Sequence, residues 1–209
     1  MLLAASCGKN APNSSALDDE QFFSLLTEIF YKLPESVMPD YLKTDAQRRE
    51  VRLERYNNRL GVENLEGEIY EQWYMAGYLT KDNRNVVLMV MYGGGMDGFS
   101  VMDMDKTLNY NIKTGELKEI KRPMDPFTAD ELIDESHFDN PELAAKAKAY
   151  YNNHKNSLFY QDFSKDGFEL SVSLDKFYAD EIEDYSDDYE GGLNHVKVSR
   201  KWNGSRFVK

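Results

Sequence analysis

Strand-forming segments joined by short polar turns constrain the fold of this chain more than any other feature. Residues 68–80 are rich in Tyr, Trp and Ile, and residues 86–92 form the continuous apolar run of a central strand. Further strands are predicted at residues 99–104, 110–112, 117–120, 157–163, 168–174, 195–202 and 206–208. Because short connections join antiparallel neighbours, the sequence predicts a mainly antiparallel sheet.

Short segments of polar residues and glycine, which favour turns, separate these strands. Hairpin turns are predicted at residues 81–85, 113–116, 164–167 and Asn203-Gly204. The glycine-rich segment 93–98 lacks the G-x-G-x-x-G and G-K-[ST] patterns of phosphate loops. It is therefore expected to form a wide turn or bulge, with a ligand loop as the alternative.

Helices are predicted before each group of strands. Residues 17–33 have apolar side chains at a helical period, with Asp18 and Gln21 placed for a capping box and Pro34 for the end. Further helices are predicted at residues 44–57, 128–134 and 142–152. This order predicts an α+β fold: an antiparallel sheet with helices packed on one face, or a pseudo-duplicated ααββββ unit.

Length and composition agree with one folded domain. The chain has 209 residues, of which 41% are hydrophobic, so a core needs no disulfide or metal. Residues 16–209 are expected to form a single domain, with 16–122 and 123–209 as its alternative halves. No self-similarity between these halves is detectable.

The net charge of −12 argues against nucleic acid as a partner, because such binding depends on Lys and Arg that neutralise phosphates. No run of 18 apolar residues predicts a membrane span. No sequence motif calls for a cofactor.

The N-terminus contains the only cysteine, Cys7. Ala4-Ala5-Ser6-Cys7 resembles the lipobox of a bacterial lipoprotein signal, in which the cysteine is cleaved at and acylated. A full signal needs a charged region and an apolar region of about 7–15 residues. The expectation is therefore a truncated signal with a start codon assigned too late, and residues 8–15 have the composition of a flexible tether.

Acylation of Cys7 would join the protein to membrane lipid. The expected location is the cell envelope, as an outer-membrane lipoprotein on the periplasmic face or the surface. The alternative is an accidental cysteine in a frayed cytosolic N-terminus.

Asp103 and Asp105 belong to the motif Asp103-Met104-Asp105-Lys106-Thr107. Its D-x-D-x-T form is that of haloacid-dehalogenase-like phosphatases, in which the first Asp attacks phosphorus and the second acts as acid and base. That chemistry needs a parallel strand followed by a crossover helix. Because a hairpin follows here, an acidic end of an antiparallel strand is the favoured interpretation.

An acidic stretch at residues 180–190 contains a candidate calcium site. Its candidate ligands are Asp184, Asp187, Asp188 and Glu190, since calcium is bound by several converging oxygens. The EF-hand spacing is absent, so a solvated acidic loop is the favoured alternative.

Tyr70, Tyr74 and Tyr78 are placed on one face of the strand at residues 68–80, while Trp73 and Met75 occupy the other. Aromatic residues usually pack in a core. Because both faces carry them, the tyrosine face is a candidate ligand surface.

Two segments resemble a family of exported proteins of unknown function from Gram-negative gut anaerobes. Residues 33–42 contain the P-[DE]-S-x-x-P pattern found after the signal in that family, and residues 200–207 resemble its K-W-N-G-x-x-F ending. The resemblance implies export and an antiparallel α+β domain, and it transfers no catalytic residue.

Together these observations predict an envelope lipoprotein whose domain binds a protein, peptide or glycan without catalysis. The alternative function is a hydrolase that uses Asp103 and Asp105.

Overall fold

The computed structural model describes residues 17–56, 58–66, 69–96, 99–138, 141–153, 158–164, 166–172 and 198–209. The helices in these ranges are α1 (Asp19–Lys32), α2 (Asp45–Glu50), α3 (Ala129–Leu132) and α4 (Pro141–Asn153). Short 3₁₀ helices occupy Glu35–Val37, Asp40–Leu42 and Glu135–His137. The strands are β1 (Glu54–Tyr56), β2 (Arg59–Glu66), β3 (Ile69–Leu79), β4 (Asn85–Met96), β5 (Phe99–Asn111), β6 (Leu117–Glu119), β7 (Leu158–Ser164), β8 (Gly167–Val172), β9 (Val198–Trp202) and β10 (Phe207–Val208).

The strands form two antiparallel sheets. The larger sheet has six strands in the order β1-β2-β3-β4-β5-β6, and the smaller has four in the order β10-β9-β8-β7. Strands that follow one another in the larger sheet are all joined as antiparallel neighbours. The α+β class with a mainly antiparallel sheet is confirmed.

One face of the larger sheet packs against α1. Asp18 and Gln21 form the predicted capping box at the start of α1, and the helix ends before Pro34. Helix residues such as Leu26, Ile29 and Phe30 are fully buried against strand residues of this face. We call this cluster the helix-side core.

The opposite face packs against the smaller sheet and against α3 and α4, in a cluster that we call the sheet-side core. Tyr74, Ala76 and Tyr78 of β3 contact this core, which also contains Phe163 and Phe168 of the smaller sheet. Helices therefore lie on both faces of the larger sheet, and residues from both halves of the chain share this core.

Three hydrogen bonds from aromatic side chains join these layers. Trp73 Nε1 donates to the Val37 carbonyl at 3.1 Å on the helix side. On the sheet side, Tyr78 Oη donates to the Gly167 carbonyl at 2.9 Å, and Trp202 Nε1 donates to Leu79 at 2.7 Å. Each bond satisfies a polar group that burial would otherwise leave unpaired.

The turn region after α1 is organised by Arg48, which is 3% exposed. Its guanidinium donates to the carbonyls of Leu42 at 2.8 Å and Leu33 at 2.9 Å. A buried cation needs such acceptors, and here they fix the segment between the two helices.

The structure corrects the predicted helix at residues 44–57. Helix α2 ends at Glu50, and Val51 is already extended. Val51 and Leu53 pack against the helix-side core, so the chain leaves the helix and enters β1. Tertiary packing outweighs the helical period here.

The last hairpin turns one residue later than predicted. The Asn203 N–H donates to the Arg206 carbonyl at 3.1 Å, which leaves Gly204 and Ser205 at the tip. The side chain of Asn203 also accepts, through Oδ1, hydrogen bonds from the backbone N–H groups of Ser205 at 3.0 Å and Arg206 at 2.9 Å. The asparagine thus stabilises the turn with its side chain.

No helix among the described residues is long and apolar enough to cross a membrane.

Gly167→Ala tests the packing between β8 and β9. Gly167 has φ +148°, and an added Cβ would lie 1.8 Å from the Arg200 carbonyl oxygen. We expect the free energy of unfolding, measured in urea, to fall by about 3 kcal/mol or more.

Gly115→Ala is the matched control, because Gly115 also has positive φ (+72°) but its nearest neighbour would be Tyr110 Oη at 3.9 Å. We expect a loss of about 1 kcal/mol there. Equal losses at the two positions would contradict the packing argument.

Candidate functional site

An open cleft of about 310 Å³ lies where β5 and the segment that follows β6 run side by side. The charged and polar lining comes from Asp105, Lys106, Thr107, Glu119, Lys121 and Arg122, with Ile120, Met124 and Pro126 as apolar neighbours. The hairpin at residues 113–116 creates this juxtaposition, because it folds β6 back along β5.

Arg122 crosses from the returning segment to β5. Its Nη2 forms an ion pair with the Asp105 carboxylate, and its Nε donates to Thr107 Oγ1 at 3.1 Å. Asp105 and Thr107 are two residues apart, so their side chains lie on the same face of β5. One guanidinium therefore binds both side chains, and it is itself only 13% exposed.

This contact explains two of the three specified positions of the D-x-D-x-T motif. The motif lies inside the antiparallel strand β5, which pairs with β4 along the motif and with β6 directly after it, from Leu108 onward. The phosphatase arrangement instead places the motif at the end of a parallel strand. Asp105 and Thr107 here are hydrogen-bond acceptors for Arg122.

The backbone of Asp103 lies at an irregularity of β5. Tyr92 of β4 is opposite Met104, whereas the next residue, Gly93, is opposite Met102. Asp103 is the extra residue of this β-bulge, which re-aims the strand locally. Its side chain lies outside what the structure describes.

The other charged side chains that line the cleft are Lys106, Glu119 and Lys121. Lys106 Nζ donates to Glu119 Oε1 at 2.9 Å. Lys121 is exposed, and no carboxylate among the described residues pairs with it. The lining holds three cations, Lys106, Lys121 and Arg122, and the two anions Asp105 and Glu119. This small cationic excess contrasts with the net charge of −12.

The structure corrects the candidate tyrosine surface. Tyr74 and Tyr78 are 7% and 1% exposed and belong to the sheet-side core. Tyr78 packs edge-on against Phe207 with ring centroids 4.8 Å apart. The smaller sheet covers this face of β3, so neither ring is offered to a ligand. Only the backbone of Tyr70 is described.

Burial raises the pKa of Tyr78, although the nearby Arg122 opposes the shift. The hydroxyl therefore stays protonated and remains the donor to Gly167. Burial also raises the pKa of Tyr151, with a further contribution from Glu131.

The remaining candidate residues lie outside the described ranges. These are Cys7 and the acidic residues Asp184, Asp187, Asp188 and Glu190. Among the described residues, no group of three or more His, Cys, Asp or Glu side chains could hold a metal ion.

Sequence reasoning missed Arg122 as a partner of Asp105. Counting outward from the predicted turn at residues 113–116 pairs Ile112 with Leu117 and would place Met124 opposite Asp105. The structure instead pairs Asn111 with Glu116, and this register places Arg122 opposite Asp105. The Ile120 N–H donates to the Thr107 carbonyl at 2.9 Å, as this register requires.

A second ion pair, also missed, lies away from the cleft. Arg200 Nη2 is 2.6 Å from Glu131 Oε1, with side chains 3% and 14% exposed. The pair joins β9 to α3, and the Arg200 guanidinium also lies 4.4 Å from the centre of the Phe127 ring. Nothing in the sequence spacing of these residues indicates their contact.

Comparison of the chain with protein-family models, with curated proteins and with solved structures gives no match.

A double-mutant cycle with Asp105→Asn and Arg122→Met tests whether this pair is structural. We expect a coupling of about 1 kcal/mol in the free energy of unfolding, because both side chains are partly exposed. Urea denaturation of the two single variants and the double variant measures it.

The pair Glu116–Lys118 is the control, with side chains 54% and 66% exposed. Its coupling should be smaller, since solvent screens the charges more fully. A coupling at Asp105–Arg122 no larger than at this control would remove the structural role.

Proposed function

We propose that this chain is the binding domain of a bacterial envelope lipoprotein, and that the cleft between β5 and the segment after β6 is its binding site. The observation that carries the proposal is the pairing inside the cleft. Asp105 is neutralised by Arg122 and Glu119 by Lys106, while Lys121 is exposed. A ligand site of this kind is concave and holds a few fixed polar groups.

The same pairing disfavours catalysis by Asp105. A general base must be able to take a proton from a substrate, and a nucleophilic carboxylate must reach the reacting atom. The Asp105 carboxylate is already engaged in an ion pair with the Arg122 guanidinium. The ion pair therefore favours ligand binding over catalysis by Asp105 as the function of this cleft.

The envelope location is supported by the lipobox-like residues before Cys7, by the polar tether and by the resemblance to exported proteins. In this proposal an acyl chain on Cys7 holds the domain at the outer membrane, on the periplasmic face or the surface. The ligand is a protein, peptide or glycan.

Acylation is tested in cells that express the protein from its natural gene with the flanking DNA. The cells are grown with an alkyne-bearing fatty acid, and the product is then labelled with a fluorophore. We expect the label on the natural chain and none on Cys7→Ala. Ser6→Ala, which keeps the thiol, is the matched control and should remain labelled. An unlabelled natural chain would contradict the lipoprotein assignment.

Binding is tested by exposing the full chain to a library of displayed decapeptides and to a glycan array. Lys121→Glu should weaken a ligand of the cleft about tenfold, because it reverses an exposed charge at the site. Lys113→Glu is the matched control, since Lys113 is an exposed lysine in the hairpin turn outside the cleft lining. Affinity measured by fluorescence anisotropy should be unchanged there.

Mass spectrometry of the recovered ligand separates the two function classes. We expect the ligand to return unchanged. A ligand that returns cleaved or otherwise altered would favour the hydrolase, and a ligand equally weakened by both lysine variants would place binding outside the cleft.

A further inference from the structure

Lys106 of β5 and Lys121 of the segment after β6 both line the cleft. The pairing of the two segments continues beyond Glu119, because the Ile120 N–H donates to the Thr107 carbonyl at 2.9 Å. In this register the next residues, Lys106 and Lys121, lie opposite each other. Side chains of directly opposite residues in an antiparallel pair lie on the same face. The two ammonium groups therefore share one side of the cleft.

The charges on this side of the cleft do not balance. Like charges that lie directly opposite in a sheet destabilise it. Glu119 offsets part of this repulsion, since its Oε1 accepts from Lys106 Nζ at 2.9 Å. Lys121 is exposed and forms no ion pair with any carboxylate that the structure describes. Two cations thus face one anion here, while the ion pair of Asp105 with Arg122, one position further along, holds the two segments side by side.

We propose that a peptide carboxylate binds in the cleft between the Lys106 and Lys121 ammonium groups. A carboxylate carries one negative charge, which matches the one cation in excess, and its two oxygens provide an acceptor for each lysine. The pair of Asp105 with Arg122 takes no part in binding this group. The inference rests on the proposed function and specifies the ligand of the same cleft.

The side chains of the cleft favour a peptide over a glycan. Sugar rings present apolar C–H faces that aromatic side chains cover in many binding sites, and none of the described side chains that line this cleft is aromatic. The apolar lining consists of Ile120, Met124 and Pro126, which suit the aliphatic part of an acidic residue and its neighbours. The carboxylate comes from an Asp or Glu side chain or from the C-terminus of the peptide.

Removal of charge from the peptide tests the carboxylate. The probe is the tightest decapeptide selected against the full chain, with its affinity measured by fluorescence anisotropy. Replacing one acidic side chain by its amide, or amidating the C-terminus, should weaken binding about tenfold, and the position that responds identifies the source of the carboxylate. The affinity of the unaltered peptide should fall as salt is added, whereas that of the neutralised peptide should change little.

Variants of the cleft test the lysine pair. Lys121→Met should weaken the selected decapeptide about tenfold, because it removes the cation in excess. Glu119→Gln should instead tighten binding about threefold, since Lys106 is then no longer shared with a carboxylate of the protein. Lys113→Met, in the hairpin turn outside the cleft lining, is the matched control and should leave the affinity unchanged.

Stability measurements separate binding from folding. Removal of one lysine also removes the repulsion between the two opposite ammonium groups. Lys121→Met should therefore unfold at the same urea concentration as the natural chain or at a higher one, although it binds the peptide less well. A lower urea midpoint would mean that Lys121 stabilises the fold, and this result would overturn its assignment to the ligand.

Other outcomes also overturn the inference. If no amide replacement weakens the peptide, or if Glu119→Gln weakens it, the two lysines do not hold a carboxylate between them. A glycan as the sole ligand excludes the peptide. If the natural chain self-associates in the ultracentrifuge and Lys121→Met abolishes this association, a second copy is the occupant.

These outcomes are distinct from failure of the proposed function. The cleft remains a binding site as long as Lys121→Glu weakens the ligand and Lys113→Glu does not. The proposed function itself fails if neither the decapeptides nor the glycans bind the full chain, or if both lysine variants weaken the ligand equally.

Discussion

Burial of both faces of the central strands β3 and β4 is the constraint on which the rest of this structure depends. In β4, Val86, Leu88 and Val90 enter the helix-side core, while the residues between them enter the sheet-side core. A sheet with two apolar faces needs a cover on each. Helix α1 supplies one, and the smaller sheet with α3 and α4 supplies the other. Trp73 donates a hydrogen bond to Val37 in the segment after α1, and Tyr78 donates one to Gly167 of the smaller sheet, so β3 is bonded to both layers.

This arrangement displaces polar chemistry to the rim of the larger sheet. Residues 73–79 of β3 and 86–91 of β4 include no charged side chain, whereas the cleft beside β5 is lined by Asp105, Lys106 and Arg122. The cleft forms at this rim because β6 is short and the segment after it is bonded to the smaller sheet. Pro123 and Phe207 make the contact that pulls this segment toward the smaller sheet. The same packing that stabilises the fold thus turns the segment after β6 away from the direction of β5 at Pro123.

Local chemistry predicts much of this fold. The capping box at Asp18 and the turn at Gly115 act over three or four residues, so their signals are complete in the sequence. Strand β2 is not predicted, and among its residues 59–63 Leu60 and Val62 are the buried hydrophobic side chains. The tyrosine face of β3 is misjudged, because aromatic residues on both faces cannot indicate which face is covered. That outcome depends on a sheet formed nearly ninety residues later, since Tyr78 and Gly167 meet only in the tertiary structure.

At the candidate site, the role of the D-x-D-x-T motif depends on the residues that pack against it. Asp105 and Thr107 match a phosphatase pattern letter by letter, yet their side chains face one guanidinium across an antiparallel pair. Counting outward from the predicted turn at residues 113–116 would place Met124 opposite Asp105, so the sequence alone does not identify that guanidinium. It does not identify the cleft either, because the cleft also requires the chain to turn away at Pro123. The partner of Asp105 and the shape of the cleft are therefore both properties of the tertiary structure.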